Sequence, residues 1–180
     1  MQQKIVLIGG PGTGKTSVLN DLISKGYHCK IEVSRDVTLK AKEEGIDQLF
    51  LTEPLLFSEM LLKGREQQFL EAENSSHDWV FFDRGIPDVH AYMDYFNTQY
   101  PWSFIEKSKQ YQYNTIFLFS PWKEIYTADN ERYETFEQSL IIDKCLQESY
   151  KKLGYQITQV PFGKIEDRSD FIIDAIRNSL

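Results

Sequence analysis

Residues 9–16, which read GGPGTGKT, are the segment with the clearest capacity for chemistry. They match the pattern GxxxxGK[ST], and they lie between an apolar run and a segment with helical spacing, the context in which this pattern binds phosphate. Glycines adopt backbone angles that other residues avoid, so successive N–H groups can point at phosphate oxygens, and the helix that follows adds its positive end. We therefore expect a nucleoside triphosphate, ATP or GTP, to be bound by these residues: Gly9, Gly10, Pro11, Gly12, Thr13, Gly14, Lys15, Thr16 and Ser17.

Three side chains at the end of this loop have the types that a triphosphate and its metal ion require. Lys15 supplies a mobile cation for the β- and γ-phosphates, and Thr16 offers a hydroxyl oxygen to Mg²⁺. Ser17 is a candidate contact for the α-phosphate, although a serine on a plain helix surface has the same appearance in the sequence. Lys15 is thus a predicted catalytic residue, and Thr16 is a predicted metal ligand.

Asp83 ends the apolar run 79–82, where a carboxylate can reach Mg²⁺ directly or through water. The next residue is Arg84, whereas motor ATPases of the AAA type have a second acid there to orient the attacking water. Small GTPases carry an N/TKxD signature after the fourth strand, and this sequence reads FSPW at residues 119–122. Both differences disfavour a motor or a switch protein. Asp83 and Arg84 are similar to the Asp-Arg pair of nucleoside and nucleotide kinases, and a surface ion pair is the alternative for Arg84.

Glu32 lies at the end of the predicted second strand, residues 28–33, and Arg35 follows it. A carboxylate at the end of this strand would face the γ-phosphate across the crevice, where it can orient or deprotonate an acceptor hydroxyl. A glutamate after the second strand has this role in deoxynucleoside kinases, and the similarity supports Glu32 as the base. The alternative is a structural carboxylate neutralised by Arg35 or Arg84. We expect an acceptor to bind near Glu32, Arg35, Asp83 and Arg84.

Residues 121–134 follow the fourth strand, where related kinases have a mobile lid whose arginines close over the triphosphate. Arg132 is the only arginine in this segment and is therefore the predicted cation for the transition state, with an exposed helix surface as the alternative. Phe162 and Gly163 follow the fifth strand, in the loop that usually lies on the adenine side. Arg168 is expected to pair with acids on its own helix.

Strands alternate with helices along the chain. Apolar runs rich in Val, Ile and Phe predict strands at residues 5–8, 28–33, 79–82, 115–119 and 156–160. Helical spacing predicts helices at 15–24, about 54–73, 88–96, 136–153 and 167–180. The alternation implies a three-layer α/β fold of the P-loop NTPase type, with helices on both faces of a five-stranded, mostly parallel sheet. We expect the strand order 2-3-1-4-5, with ligands at the carboxyl ends of the strands and an acceptor-side insertion at about residues 36–76.

The composition fits one globular domain over residues 1–180, with 41% hydrophobic and 26% charged residues. The formal net charge of −7 disfavours a nucleic-acid polymer as partner. No stretch has the length of a membrane span or the flanks of a signal peptide, so the expected location is the cytoplasm. Cys29 and Cys145 lack metal-ligand spacing, and the sequence does not indicate an oligomeric state.

The ordered motifs GGPGTGKT, IEVSR, FFDRGIPD, FLFSPWKEIY, DNER, KLGY and VPFG resemble those of one AAA-domain family. This family also contains the ribosylnicotinamide kinase half of the bifunctional NAD-synthesis regulator, and the resemblance covers about residues 4–173. It implies a P-loop kinase in which Lys15 and Thr16 hold triphosphate and Mg²⁺, while Asp83 and Arg84 serve the metal and the acceptor. It implies no particular acceptor, because the segment before the third strand shows no acceptor-specific motif. Some members of the wider family, joined to a triphosphate-tunnel domain, are described as GTP- and phosphoinositide-binding proteins.

Two functions follow from these features. The first is a Mg²⁺-dependent phosphotransferase that moves the γ-phosphoryl group of ATP to a small hydroxyl acceptor, for example a nucleoside such as ribosylnicotinamide. The second is an ATP- or GTP-binding regulatory protein, or an ATPase without a small-molecule acceptor. The presence of Glu32, Asp83 and Arg84 together favours the first.

Overall fold

A five-stranded parallel sheet forms the centre of the fold. The computed structural model describes residues 2–43, 45–46, 49–126 and 134–178. The strands are β1 (Gln3–Ile8), β2 (His28–Lys30), β3 (Trp79–Asp83), β4 (Thr115–Leu118) and β5 (Ile157–Gln159). Their order in the sheet is β2-β3-β1-β4-β5, and all four pairings are parallel. The predicted fold class and strand order are confirmed.

Helices connect the strands and include three that the sequence pattern does not predict. They are α1 (Lys15–Ser24), α2 (Ser34–Glu43), α3 (Leu49–Thr52), α4 (Pro54–Glu73), α5 (Ile86–Tyr95), α6 (Ser103–Gln110), α7 (Phe136–Lys152) and α8 (Ile165–Arg177). The unpredicted helices are α2, α3 and α6, and strand β2 ends three residues before its predicted end at Val33. Among the described residues, no helix combines the length and apolarity that crossing a membrane would require.

The two faces of the sheet pack against different helices. Successive strand residues point to opposite faces, so Ile5 and Leu7 of β1 pack with α1 and α8, whereas Val6 and Ile8 pack on the other face with α4, α5 and α7. All four side chains are fully buried. This double covering explains why the strands read as continuous apolar runs rather than alternating ones.

A third apolar cluster lies beyond the carboxyl ends of β2 and β3 and joins α2, α4, α5 and α6. Within it, Gly64 of α4 lies against Val33: a Cβ placed on Gly64 would be 2.4 Å from Cγ1 of Val33. The absence of a side chain at Gly64 therefore lets α4 approach the loop that contains Glu32. Pro54 at the first position of α4 suits a helix start, because proline lacks the N–H that would be unpaired there.

Candidate active site

The phosphate loop connects β1 to α1 and depends on glycine at defined positions. Gly9, Gly12 and Gly14 have φ angles of 146°, 73° and 82°, which side-chain-bearing residues rarely adopt. A Cβ on Gly9 would also lie 2.3 Å from the carbonyl oxygen of Phe119, at the end of the neighbouring strand β4. Backbone conformation and close packing thus both require glycine at the start of the loop.

Lys15 lies over the loop with its ammonium group held by backbone carbonyls. Nζ donates hydrogen bonds to the carbonyl oxygens of Gly9 at 2.8 Å and Gly10 at 3.0 Å. Burial, and next the charge of Arg84, lower the pKa of Lys15 to about 8, against the opposing effect of Asp83. The Lys15 side chain therefore remains a cation at neutral pH. Its ammonium group lies next to the loop backbone at Gly9 and Gly10.

Asp83 is the last residue of β3 and pairs in register with Leu7 of β1. Asp83 therefore lies beside the start of the phosphate loop, which follows β1. Its Oδ1 atom is buried and has no hydrogen-bond partner among the described residues. Burial raises the pKa of this carboxyl, and the charge of Lys15 opposes the shift. A buried carboxylate oxygen without a partner is a suitable ligand for a hard cation.

Thr16 is the second residue of α1 and is exposed. The described residues contain no group of three His, Cys, Asp or Glu side chains able to hold a metal ion by themselves. Mg²⁺ at phosphate loops takes few protein ligands and fills its octahedron with phosphate oxygens and water. The pair of Thr16 and Asp83 fits that donor set.

Glu32 lies in the loop after β2 and is bound by two arginines. Its Oε2 atom is 2.5 Å from Nε of Arg84, and its Oε1 atom is 3.2 Å from Nη2 of Arg65. Oε1 also accepts a hydrogen bond from the backbone N–H of Ser34. Burial raises the pKa of Glu32, but Arg65 and Arg84 outweigh it and lower the pKa to about 2. Of the two arginines considered as its partner, Arg84 is found, whereas Arg35 is exposed and pairs with no described carboxylate.

Arg84 points into the site rather than to the surface. Its φ angle of 71° is uncommon for a residue with a side chain and indicates local backbone strain. Nη1 donates a hydrogen bond to the Tyr92 hydroxyl and lies 3.6 Å from Oδ1 of Asp88. Asp88 is in turn fixed by Tyr150, whose hydroxyl donates to Oδ2 at 2.6 Å. Arg84 is not the exposed surface ion pair considered as the alternative, because its side chain is only 15% exposed and its neighbour Asp88 is fully buried.

Arg65 of α4 is a member of the site that the sequence does not single out. It is buried, and its Nη1 atom donates a hydrogen bond to the carbonyl oxygen of Gly85 at 2.9 Å. One feature of the sequence indicates that Arg65 is buried: it lies on the same helical stripe as the apolar residues Leu61 and Phe69. A charged side chain on a buried stripe indicates a partner inside the protein.

A cavity of about 300 Å³ extends from the phosphate loop past this ion-pair cluster. Pro11 borders it on the loop side, and helices α2, α4 and α5 supply most of the wall. Four aromatic rings and several polar groups face it, as is typical of small-molecule sites. The lining includes Glu32, Ser34, Ser58, Phe50, Phe57, Arg65, Arg84, Tyr92 and Phe96.

The opposite side of the phosphate loop is covered by aromatic residues. Trp122, from the segment after β4, stacks on Phe162 with ring centroids 5.0 Å apart and an interplanar angle of 19°. Arg168 does not pair with acids on its own helix as predicted; its Nη2 atom donates to the carbonyl oxygen of Thr13 at 3.1 Å. The reason is that the guanidinium is turned inward onto the Phe119 ring. Arg132 lies outside the described residues, as does the rest of segment 127–133, which is half of the predicted lid.

Solved structures of kinases share this fold. A deoxyadenosine kinase from M. mycoides, with products dCMP and dCDP bound, matches with a TM-score of 0.70 and 16% identity over 99% of this chain and 100% of that chain. NadR protein in complex with NR matches with a TM-score of 0.74 and 15% identity over 98% of this chain and 50% of that chain. Thymidylate kinase from Candida albicans matches with a TM-score of 0.66 and 14% identity over 99% of this chain and 92% of that chain. The chain thus corresponds to about half of the NadR chain.

Sequence comparison identifies the family. No curated protein sequence matches the chain. The family profile described as AAA domain matches residues 4–168, which include the phosphate loop, Glu32, Asp83 and Arg84. Because this match covers most of the sequence, the chain belongs to that AAA-domain family, and its fold is that of the P-loop kinases.

Proposed function

We propose that the protein is a Mg²⁺-dependent phosphotransferase that moves the γ-phosphoryl group of ATP to a hydroxyl of a small, nucleoside-type acceptor. The cavity next to the phosphate loop is the observation that carries the proposal. It begins at Pro11 and contains Glu32 and Arg84 in its wall. A kinase needs a binding site for a second small molecule at this place, whereas an ATPase or a nucleotide-regulated switch does not. The cavity volume of about 300 Å³ falls within the range of small-molecule sites.

The nucleotide side of the site uses the phosphate loop. Loop N–H groups and the positive end of α1 bind the phosphates, and Lys15 meets the β- and γ-phosphates. Thr16 and Asp83 are the residues that would hold Mg²⁺, which when bound neutralises charge on the phosphates. Arg84, held by Glu32 and Asp88, lines the cavity and there stabilises charge on the transferring group.

The charges of the cavity wall favour an acceptor without a phosphate group over a nucleotide. Arg65 and Arg84 are both paired with Glu32, and Arg84 also lies near Asp88. Among the described lining residues there is no further cation to receive the phosphate of a nucleoside monophosphate. Aromatic rings such as Phe57 and Tyr92 offer flat surfaces for a base. Nucleosides, including ribosylnicotinamide, combine a flat ring with a primary hydroxyl and match these groups.

Glu32 acts by orienting the acceptor hydroxyl. With a pKa of about 2 the carboxylate is ionised at neutral pH and is a weak base. Oε1 already accepts from Arg65 and from the N–H of Ser34, whereas Oε2 binds only Arg84 and so keeps a lone pair for a further donor. A hydroxyl that donates to Glu32 would have its oxygen free to attack the γ-phosphorus. The role therefore rests on hydrogen-bond geometry rather than on strong proton affinity.

The experiment that tests this function is incubation of the purified protein with Mg·ATP and a panel of nucleosides and nucleoside monophosphates. ADP release and product mass are measured for each compound, with the Lys15→Ala variant as the control for contaminating kinases. We expect at least one nucleoside to be phosphorylated and the monophosphates to be inert. ADP release that no compound stimulates would contradict the proposal and support an ATPase or regulatory protein.

A substitution at Glu32 tests the charge argument separately. Glu32→Gln removes the carboxylate that pairs with Arg65 and Arg84, so two buried cations become available to a phosphate group. We expect nucleoside monophosphates to bind this variant at least tenfold more tightly than the parent, as judged by calorimetry. Equal, weak binding to both proteins would show that paired arginines are not what excludes a phosphorylated acceptor.

A further inference from the structure

Arg168 is a buried arginine on the outer side of the phosphate loop. It is the fourth residue of α8, and its side chain is 2% exposed. Its Nη2 atom donates to the carbonyl oxygen of Thr13, and its guanidinium carbon lies 4.6 Å from the centroid of the Phe119 ring and 5.8 Å from that of Trp122. The side chain thus links the loop to the two aromatic residues that follow β4.

This guanidinium has no charged partner in the described part of the chain. No carboxylate there lies within ion-pair distance, and its Nε atom is buried without a hydrogen bond. Burial accordingly lowers the pKa of Arg168, with no carboxylate opposing the shift. By contrast, the buried Arg65 and the partly buried Arg84 are both paired with Glu32. A buried charge without a partner is costly, so its presence requires an explanation beyond packing.

The position of Arg168 supplies that explanation. A Cβ on Gly14 would lie 2.7 Å from Nη1 of Arg168, so the Arg168 guanidinium contacts the loop at the residue where α1 begins. The positive end of α1 and the ammonium group of Lys15 are located at the same loop. The unpaired charge of Arg168 therefore adds to a positive potential whose natural counter-charge is a bound polyphosphate.

We propose that Arg168 is a positioning residue of the nucleotide site, which supports the turn at Thr13 and Gly14 from behind and strengthens polyphosphate binding through its charge. The inference rests on the proposed nucleotide site but not on the identity of the acceptor. It assigns the phosphate chain, rather than the base, as the part of the nucleotide that depends on Arg168. Inorganic tripolyphosphate is the appropriate probe, because it has the charge of the nucleotide tail and lacks a base.

The test compares two substitutions that both remove the planar guanidinium. Arg168→Met keeps apolar packing on Phe119 and loses the charge, whereas Arg168→Lys keeps the charge. Arg177→Met is the matched control, since Arg177 is on the same helix, is 63% exposed and pairs only weakly with Asp174 at 4.0 Å. Tripolyphosphate and ATP affinities are measured by calorimetry, and circular dichroism melts confirm that each variant is folded.

We expect Arg168→Met to bind tripolyphosphate and ATP roughly tenfold more weakly than the parent, an effect typical of losing one charge near a partly desolvated anion. Arg168→Lys should recover most of this loss, and Arg177→Met should bind like the parent. Arg168→Gln replaces the methionine variant if the latter does not fold. Equal affinities of the lysine and neutral variants would overturn the proposal and leave a packing role. A parent protein that binds neither ligand would instead refute the nucleotide site itself.

Discussion

Replacing Glu32 by Gln tests how strongly the ion-pair cluster stabilises the fold. The pKa of Glu32 falls from its ordinary 4.5 to about 2, and its side chain is only 17% exposed, so solvent screens the effect little. That difference corresponds to about 3 kcal/mol of folding free energy at neutral pH. Because the folded-state pKa is the lower one, this stabilisation is present above pH 4.5 and is lost as the pH falls toward 2.

Urea denaturation of the parent and of Glu32→Gln, at pH 7 and at steps down to pH 3, measures this contribution. We expect the variant to be less stable by about 3 kcal/mol at pH 7, and the difference should shrink below pH 4.5 because the carboxylate of the unfolded parent then takes up a proton that the folded carboxylate does not bind. Glu59→Gln is the control: Glu59 is exposed on the same helix as Arg65, and its change should cost less than about 0.5 kcal/mol.

The same variant also has a catalytic readout once an acceptor is known. Acceptor-stimulated ADP formation should fall by roughly two orders of magnitude, the effect of a misplaced reacting group, while ATP affinity changes little. A Glu32→Gln protein that unfolds at the parental urea concentration at pH 7 would refute the stability argument. One that turns over acceptor at the parental rate would reduce Glu32 to a structural partner of Arg65 and Arg84.

Three further substitutions have defined outcomes. Lys15→Ala should remove most affinity for a fluorescent ATP analogue while the melting curve shows a folded protein, and parental affinity in the folded variant would disprove the phosphate-loop assignment. Asp83→Asn should bind nucleotide but weaken the Mg²⁺ dependence of turnover, because the amide keeps the shape and loses the charge; coincident Mg²⁺ titrations would make Asp83 structural. Gly9→Ala should destabilise the protein by several kcal/mol, since its Cβ would lie 2.3 Å from the Phe119 carbonyl, with Gly26→Ala, where no atom is within 4 Å, as the control for backbone conformation alone. Equal urea midpoints for the two alanine variants would contradict that packing argument.

Local sequence patterns predicted the sheet and the phosphate loop well. The central strands β1, β3 and β4 are covered on both faces, so each appears as an uninterrupted apolar run, and the spacing of the glycine-rich motif fixes the position of the loop. Strand β2 lies at an edge of the sheet, and its end was predicted wrongly. Its predicted continuation fails at Ile31, which is 60% exposed and whose carbonyl accepts from the Gln68 side chain instead of a neighbouring strand.

The unpredicted features depend on contacts between distant parts of the chain. Helix α2 buries only Val37 and Ala41, so its apolar periodicity is too weak to recognise. Arg65 and Arg168 lie on helices whose patterns indicate a buried face but not what that face meets. Their partners, Glu32 and the Thr13 carbonyl, are 33 and 155 residues away, and no spacing rule connects them.

The contact between Gly64 and Val33 has a consequence for how the acceptor site can change. Here the backbone of α4 contacts the Val33 side chain of the loop that carries Glu32, so these two walls of the cavity cannot come closer together. A larger residue at Gly64 would push α4 outward and draw Arg65 away from Glu32, so the charge cluster would be lost along with the change in width. Variation in acceptor size among related proteins should therefore accumulate in side chains on the aromatic walls, such as Phe57 and Phe96, while the distance between the walls stays constant.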